Sequence, residues 1–186
     1  MNSSEFVGIS PLKKPVVLVG MMGCGKSTVG QALSSNLNCP FYDCDDLIVK
    51  DQGKEITEIF SENGEAYFRD LEVKKIKELL NMGAGIISTG GGAVTVPKAL
   101  EIIKSDGISI WLRSDVDNIL SRLGDDTSRP LLQCDNPRKK LEELLSLRER
   151  LYALADIHVD NKSDDIHETV KIIIQELKNK DADQNS

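Results

Sequence analysis

The chain has no apolar run long enough to cross a bilayer: its longest β-branched stretches, such as 16–19, fall far short of the roughly 20 residues a spanning helix needs. No membrane partner is expected. It also has no excess of positive charge. Twenty-three Lys and Arg stand against thirty Asp and Glu, a net charge of −7, and a surface of that sign repels nucleic acid and anionic lipid. The cysteines, Cys24, Cys39, Cys44 and Cys134, form no Cys-x-x-Cys pair and have no histidine nearby. Neither a zinc site nor a disulfide framework is indicated, and reduced thiols in a cytoplasmic protein are the better reading. The first fifteen residues contain Lys13 and Lys14 but no apolar h-region or small-residue cleavage site, so they do not read as a secretory leader. Nothing repeats internally, and low complexity is confined to the polar tail from 179 onward.

What is present suits one globular domain: 186 residues, 40% hydrophobic and 28% charged. A loose arm over 1–14, a single domain over 15–179 and a disordered tail over 180–186 are expected. Short β-branched runs at 16–19, 41–42, 86–87, 108–112 and 157–159 alternate with longer helical patterns. Several of these runs are apolar at successive positions, which indicates burial on both faces and hence a parallel sheet sandwiched by crossover helices. In such a sheet ligands bind at the carboxyl ends of the strands. The motifs fall there.

The first run leads into Gly20-Met21-Met22-Gly23-Cys24-Gly25-Lys26-Ser27, followed by Val29, Ala32, Leu33 and Leu37 at helical spacing. This is a phosphate-binding loop in its proper context. Its glycines let successive backbone N–H groups converge on phosphate oxygens at a helix N-terminus. Lys26 supplies positive charge to the β and γ phosphates of ATP, and Ser27 is expected to place its hydroxyl on Mg2+. For Cys24 small size is the simplest role; a thiolate favoured by the loop dipoles is the alternative.

After the second run, Asp43, Asp45 and Asp46 crowd the strand end. If the strand continues, Asp43 and Asp45 project to one side. One could then serve Mg2+ while the other meets an acceptor hydroxyl. Helix N-capping, with Asp45 or Asp46 as the cap, is the other reading.

Between 64 and 80 an apolar side carries Phe68, Leu71, Ile76, Leu79 and Leu80, with Arg69 and Glu72 on or beside it. From 141 to 155 the stripe of Leu141, Leu144, Leu145, Leu151, Tyr152 and Ala155 has Arg148 at its centre, and Arg150 points outward. A buried arginine needs a counter-charge. Either Glu72 supplies it internally, or Glu72 orients two arginines that grip a ligand carboxylate. Gly90, Gly91 and Gly92 follow the third run and allow close backbone approach. The polar stretch 124–130 has the composition of a flap, on which Arg129 could close over the phosphates or remain a solvated surface residue.

Together GMMGCGKSTVG, FYDCDDLI, ITEIFSENGEAYFRDLE, STGGGAV, SRPLL and RERLY resemble the shikimate kinase family from about residue 15 to the last helix. The resemblance implies a three-layer α/β/α fold of P-loop kinase type, with a five-stranded parallel sheet and a lid at about 121–134. It also implies phosphorylation of the 3-hydroxyl of shikimate by ATP. Gly23, Cys24, Gly25, Lys26, Ser27, Thr28 and Arg129 would hold the nucleotide, and Ser27 and Asp43 the Mg2+. Asp45 would bind the acceptor hydroxyls and take or orient the proton of the attacking one. Arg69 and Arg148 would bind the ring carboxylate, braced by Glu72, with backbone contacts from Gly90, Gly91 and Gly92. Lys26, Asp45 and Arg129 are the implied catalytic residues, and a monomer is expected. One departure concerns the base. Some members carry an arginine beside the adenine, where Asp160-Asn161-Lys162-Ser163-Asp164 offers only a lysine, and an ammonium does not stack as a guanidinium does. The rivals are a gluconate or nucleoside monophosphate kinase, which shares the loop, and a catalytically silent relative, against which the intact Lys26, Ser27, Asp43, Asp45 and Arg129 argue.

Overall fold

All four residues of the run at 16–19 are buried, as a strand covered on both faces must be. It is the central strand of the sheet. In the computed structural model, which describes residues 12–124, 134–161 and 165–183, the strands are β1 (Val16–Val19), β2 (Phe41–Asp43), β3 (Ile86–Ser88), β4 (Ile108–Arg113) and β5 (Ile157–Asp160). They form one sheet in the order β2-β3-β1-β4-β5 with every neighbouring pair parallel. The chain first moves from β1 to one side and then returns to the other, so β1 and β3 flank the crevice where the strand order reverses.

Side-chain alternation divides the core into two layers. Val16 and Leu18 of β1, with Ile110 and Leu112 of β4, pack against Val29 and Leu33 of α1 (Lys26–Leu37) and Ile173 and Ile174 of α7 (Ile166–Asp183). Val17 and Val19, with Trp111, face Ile76 and Leu80 of α3 (Ile56–Asn81) and Ile102 and Ile103 of α4 (Pro97–Asp106). Three layers result. Helix α6 (Pro137–Tyr152) joins both, placing Leu141 and Leu144 in the first core and Tyr152 in the second. It therefore passes over the carboxyl end of the sheet, and Arg148 lies between those two anchors.

The structure departs from the sequence reading in four places. The strand alternation expected to align Asp43 with Asp45 does not occur, because α2 (Cys44–Gln52) begins immediately after Asp43. Asp43, rather than Asp45 or Asp46, is the N-cap, its carboxylate accepting from the N–H groups of Asp45 and Asp46. The pattern at 64–80 is the second half of a longer helix, since α3 starts at Ile56 behind a Glu55/Glu58 capping box and is interrupted at Gly64 (φ 84°, ψ 167°). The folded domain also exceeds 15–179. Helix α7 runs to Asp183, and Lys180 reaches Asp156 at 3.0 Å, while at the other end Lys14 donates to Ser105 O and Leu12 packs on the core. Of the lid expected at 121–134, residues up to 123 belong to α5 (Val116–Leu123); Arg129 lies outside the described residues. Among the described residues no helix is long and apolar enough to cross a membrane.

Candidate active site

The loop between β1 and α1 folds around Gly23 (φ 73°) and Gly25 (φ 93°), both in the left-handed region that favours glycine. It opens onto a cavity of about 1150 Å³ lined by Gly23, Gly25, Lys26, Ser27 and Thr28. Asp43 and Asp45 line the same cavity from the end of β2 and the start of α2, and Gly90 and Gly91 line it from the loop after β3. The expected phosphate and acceptor elements therefore share one space. Lys26 is buried, with its ammonium donating to Gly20 O and Met21 O, each at 2.9 Å. Ser27 donates to Asp43 Oδ2 at 2.6 Å. Cys24 is buried in the core beneath the loop, which fits the reading of small size.

The glycine triplet organises the rest. A Cβ on Gly90 would lie 2.3 Å from Glu72 Oε1 and 2.9 Å from Asp45 Oδ1. On Gly91 it would strike Met22 N of the phosphate loop at 2.8 Å, and on Gly92 it would fall 2.2 Å from Arg69 Nη2. Real Cβ contacts do not approach so closely, so each glycine admits a different neighbour. The third position carries the Arg69 guanidinium, and the second brings the loop against the phosphate cradle.

Arg69 is bound by carboxylates: Nη1 pairs with Glu72 Oε2, and Nη2 donates to Glu65 Oε1 at 2.9 Å. Arg148 differs. Only 6% exposed, it donates to Gly91 O at 3.3 Å, and among the described residues no carboxylate pairs with it. Glu72 thus braces Arg69 by contact and Arg148 only through space. Burial of Glu72, which is fully enclosed, raises its carboxyl from 4.5 to about 7 despite the neighbouring Arg69, and Asp45 adds to the rise. Tyr152 also donates to Gly91 O, and its ring stacks on Trp111 with centroids 5.8 Å apart. Its phenol is raised by burial, so the hydroxyl remains a donor.

Arg69 and Arg148 do not line the phosphate cavity itself; they stand behind the triplet, on its Gly91 and Gly92 side. Three residues not expected as site residues also belong to the site. Arg122, near the end of α5, lines the cavity and donates to Asn161 O at 3.3 Å from both terminal nitrogens. Asn161, directly after β5, donates from Nδ2 to Cys24 O at 2.7 Å. Tyr152 reads in the sequence as one more member of an apolar stripe, and its bond to Gly91 spans 61 residues. No local pattern encodes such contacts. Lys162, Ser163 and Asp164 lie outside the described residues.

The shikimate kinase family model matches residues 22–178. Curated shikimate kinases from Cereibacter sphaeroides and Novosphingobium aromaticivorans are 43% and 44% identical over 81% and 86% of this chain and 75% and 85% of their own. A solved shikimate kinase from Acinetobacter baumannii, in complex with shikimate, superimposes with a TM-score of 0.88 at 34% identity, covering 96% of this chain and 98% of that one. With the phosphate loop, the glycine triplet and the two arginines in place, the chain belongs to the shikimate kinase family.

Proposed function

We propose that this chain transfers the terminal phosphoryl group of ATP to the 3-hydroxyl of shikimate, giving ADP and shikimate 3-phosphate. The observation that carries this reading is Arg148: a nearly buried guanidinium, held by a carbonyl and lacking a carboxylate partner among the described residues, beside a second guanidinium and one glycine away from the phosphate cradle. A desolvated charge in that position is costly without an anion. A carboxylate matches the fork of a guanidinium, and the acceptor brings one.

In this reading Arg69 and Arg148 fix the ring carboxylate, which turns the acceptor so that one hydroxyl faces Asp45 across the cavity. Asp45 orients that hydroxyl and accepts its proton as the oxygen attacks. Lys26 leaves the carbonyls of Gly20 and Met21 for the β and γ phosphates. Positioning and positive charge supply most of the catalysis, since phosphoryl transfer needs little covalent help. The oxygen donors Ser27 Oγ and Asp43, 2.6 Å apart, suit Mg2+, and no cluster of three acidic, histidine or cysteine ligands occurs among the described residues. Ser27 and Asp43 would hold the ion together with phosphate oxygens and water. When bound it neutralises charge on the phosphates.

Arg129 would close over the cavity as a lid residue. A cytoplasmic location fits four free cysteines, and the chain acts as a monomer in this reading. The test is ADP release in a coupled assay with shikimate, gluconate or AMP as acceptor. Turnover with shikimate alone supports the assignment, and equal turnover with gluconate or AMP contradicts it.

A further inference from the structure

Asn161 occupies a junction that the transfer chemistry does not use. It is 3% exposed, at the carboxyl end of β5. Its backbone N–H donates to Arg113 O at 2.7 Å, and its carbonyl receives Arg122. Its side chain points into the phosphate loop: Nδ2 donates to Cys24 O at 2.7 Å, while Oδ1 accepts from Thr169 Oγ1 of α7 at 3.0 Å. Thr169 is itself buried, at 2% exposure. Both ends of the amide are therefore committed. The carbonyl of Cys24, which can only accept, requires the Nδ2 end to face the loop, and the Thr169 hydroxyl holds the amide there by donating to Oδ1.

In a trans peptide the C=O of one residue and the N–H of the next point in opposite directions. Holding Cys24 O against Asn161, on the sheet side, therefore turns the N–H of Gly25 the other way. Gly25 lines the phosphate cavity, and its N–H has no carbonyl partner among the described residues. A Cβ on Gly25 would sit 2.9 Å from Asn161 Nδ2, so the contact also needs the glycine. Arg122 reinforces the anchor more loosely, with Nη1 3.5 Å from Cys24 O.

We propose that Asn161 and Thr169 are positioning residues for the nucleotide phosphates: they lock the Cys24–Gly25 peptide so that its N–H is preset towards the anion. This rests on the ATP reading above. Neither residue touches the nucleotide phosphates in this scheme, and neither approaches the glycine triplet, so the effect belongs to nucleotide affinity and leaves the acceptor side alone.

The experiment is calorimetric titration of the full chain with Mg-ADP and, separately, with shikimate, for wild type, Asn161→Asp, Asn161→Leu and Thr169→Val. Asn161→Asp replaces the donor by an acceptor facing Cys24 O, and ADP binding is expected to weaken by about tenfold or more. Asn161→Leu should weaken it less, since it removes the donor without adding repulsion, and Thr169→Val by about threefold. Shikimate affinity should stay within about twofold of wild type throughout. A general loosening of the fold would weaken both ligands together and overturn the assignment. Unchanged ADP affinity in folded Asn161→Asp would also overturn it. Should that variant not fold, Thr169→Val decides alone, and unchanged ADP affinity there has the same meaning. A wild-type chain that binds no ADP overturns the nucleotide reading itself, and this inference with it; normal wild-type binding with unaffected variants overturns the inference only.

Discussion

Arg69 and Arg148 reach neighbouring peptide units of one glycine triplet from different helices: the first packs over Gly92, and the second donates to Gly91 O at 3.3 Å. They are not equivalent. Arg69 arrives with Glu65 and Glu72 already bound, whereas Arg148 has no carboxylate among the described residues. The unneutralised member should therefore contribute most to holding an anionic acceptor. Arg148→Ala is expected to raise the KM for shikimate by about 10- to 100-fold, the worth of one or two charged hydrogen bonds, with the KM for ATP little changed. Steady-state kinetics with each substrate varied in turn checks the split. An unchanged shikimate KM would make Arg148 a structural residue.

Lys26 illustrates a different dependence. Its ammonium donates to two loop carbonyls in the free protein, so it is buried but movable. Lys26→Met keeps the aliphatic stem and removes the charge. Turnover should fall by at least about 10²- to 10³-fold, as when one preorganised donor is lost from a transition-state site, while the melting temperature stays near that of wild type. Calorimetry alongside the coupled assay separates the two, and a stable variant with near-normal turnover would remove Lys26 from the mechanism.

The glycine triplet allows a test that leaves every charged residue in place. Gly92→Ala puts a methyl group where Arg69 now lies, with the guanidinium atoms 2.2 to 2.6 Å from the new Cβ. The obstructing group is the far end of a flexible side chain, so Arg69 moves away and the backbone survives. Shikimate KM should rise by about tenfold, with some loss of stability because a displaced Arg69 leaves the enclosed Glu72 without its partner. Tight acceptor binding in this variant would mean that the Arg69 position is not needed.

Glu72 makes stability depend on pH in an unusual direction. Burial lifts its carboxyl from 4.5 to about 7, so folding favours the protonated form. A raised carboxyl pKa makes stability greatest below the unfolded value and lowers it as pH climbs through the folded value, opposite to a carboxylate whose pKa is depressed. Relative to Glu72→Gln, wild type should gain stability as pH is lowered from about 7.5 to about 5. Urea denaturation of both proteins across that range measures the difference. A difference that does not vary with pH would place the proton elsewhere.

The central strands were legible because burial on both faces leaves a continuous apolar signature at 16–19 and one broken only by Ser109 at 108–112. The boundaries were less so. Strands β2 to β5 each extend one residue beyond the apolar run, ending on Asp43, Ser88, Arg113 and Asp160, polar residues that face the ligand edge and carry no hydrophobic signal. The arginines at 69 and 148 stood out as charges within apolar stripes. Asp43 and Asp45 do not align as strand alternation would place them, because an N-capping aspartate starts a helix as readily as it ends a strand. Asn161, Arg122 and Tyr152 were not legible, since each acquires its role through contacts 39 to 137 residues away. The polar end of α7 read as a tail, although Lys180 pairs with Asp156.

Acceptor recognition rests on the carboxylate, so the decisive comparison is the binding of shikimate against that of its methyl ester, measured by calorimetry. The ester keeps the ring and hydroxyls but lacks the charge. Binding at least about tenfold weaker for the ester is predicted, with the gap largely closed in Arg148→Ala. Equal affinity for the two compounds would contradict the claim that Arg69 and Arg148 hold the acceptor through its carboxylate.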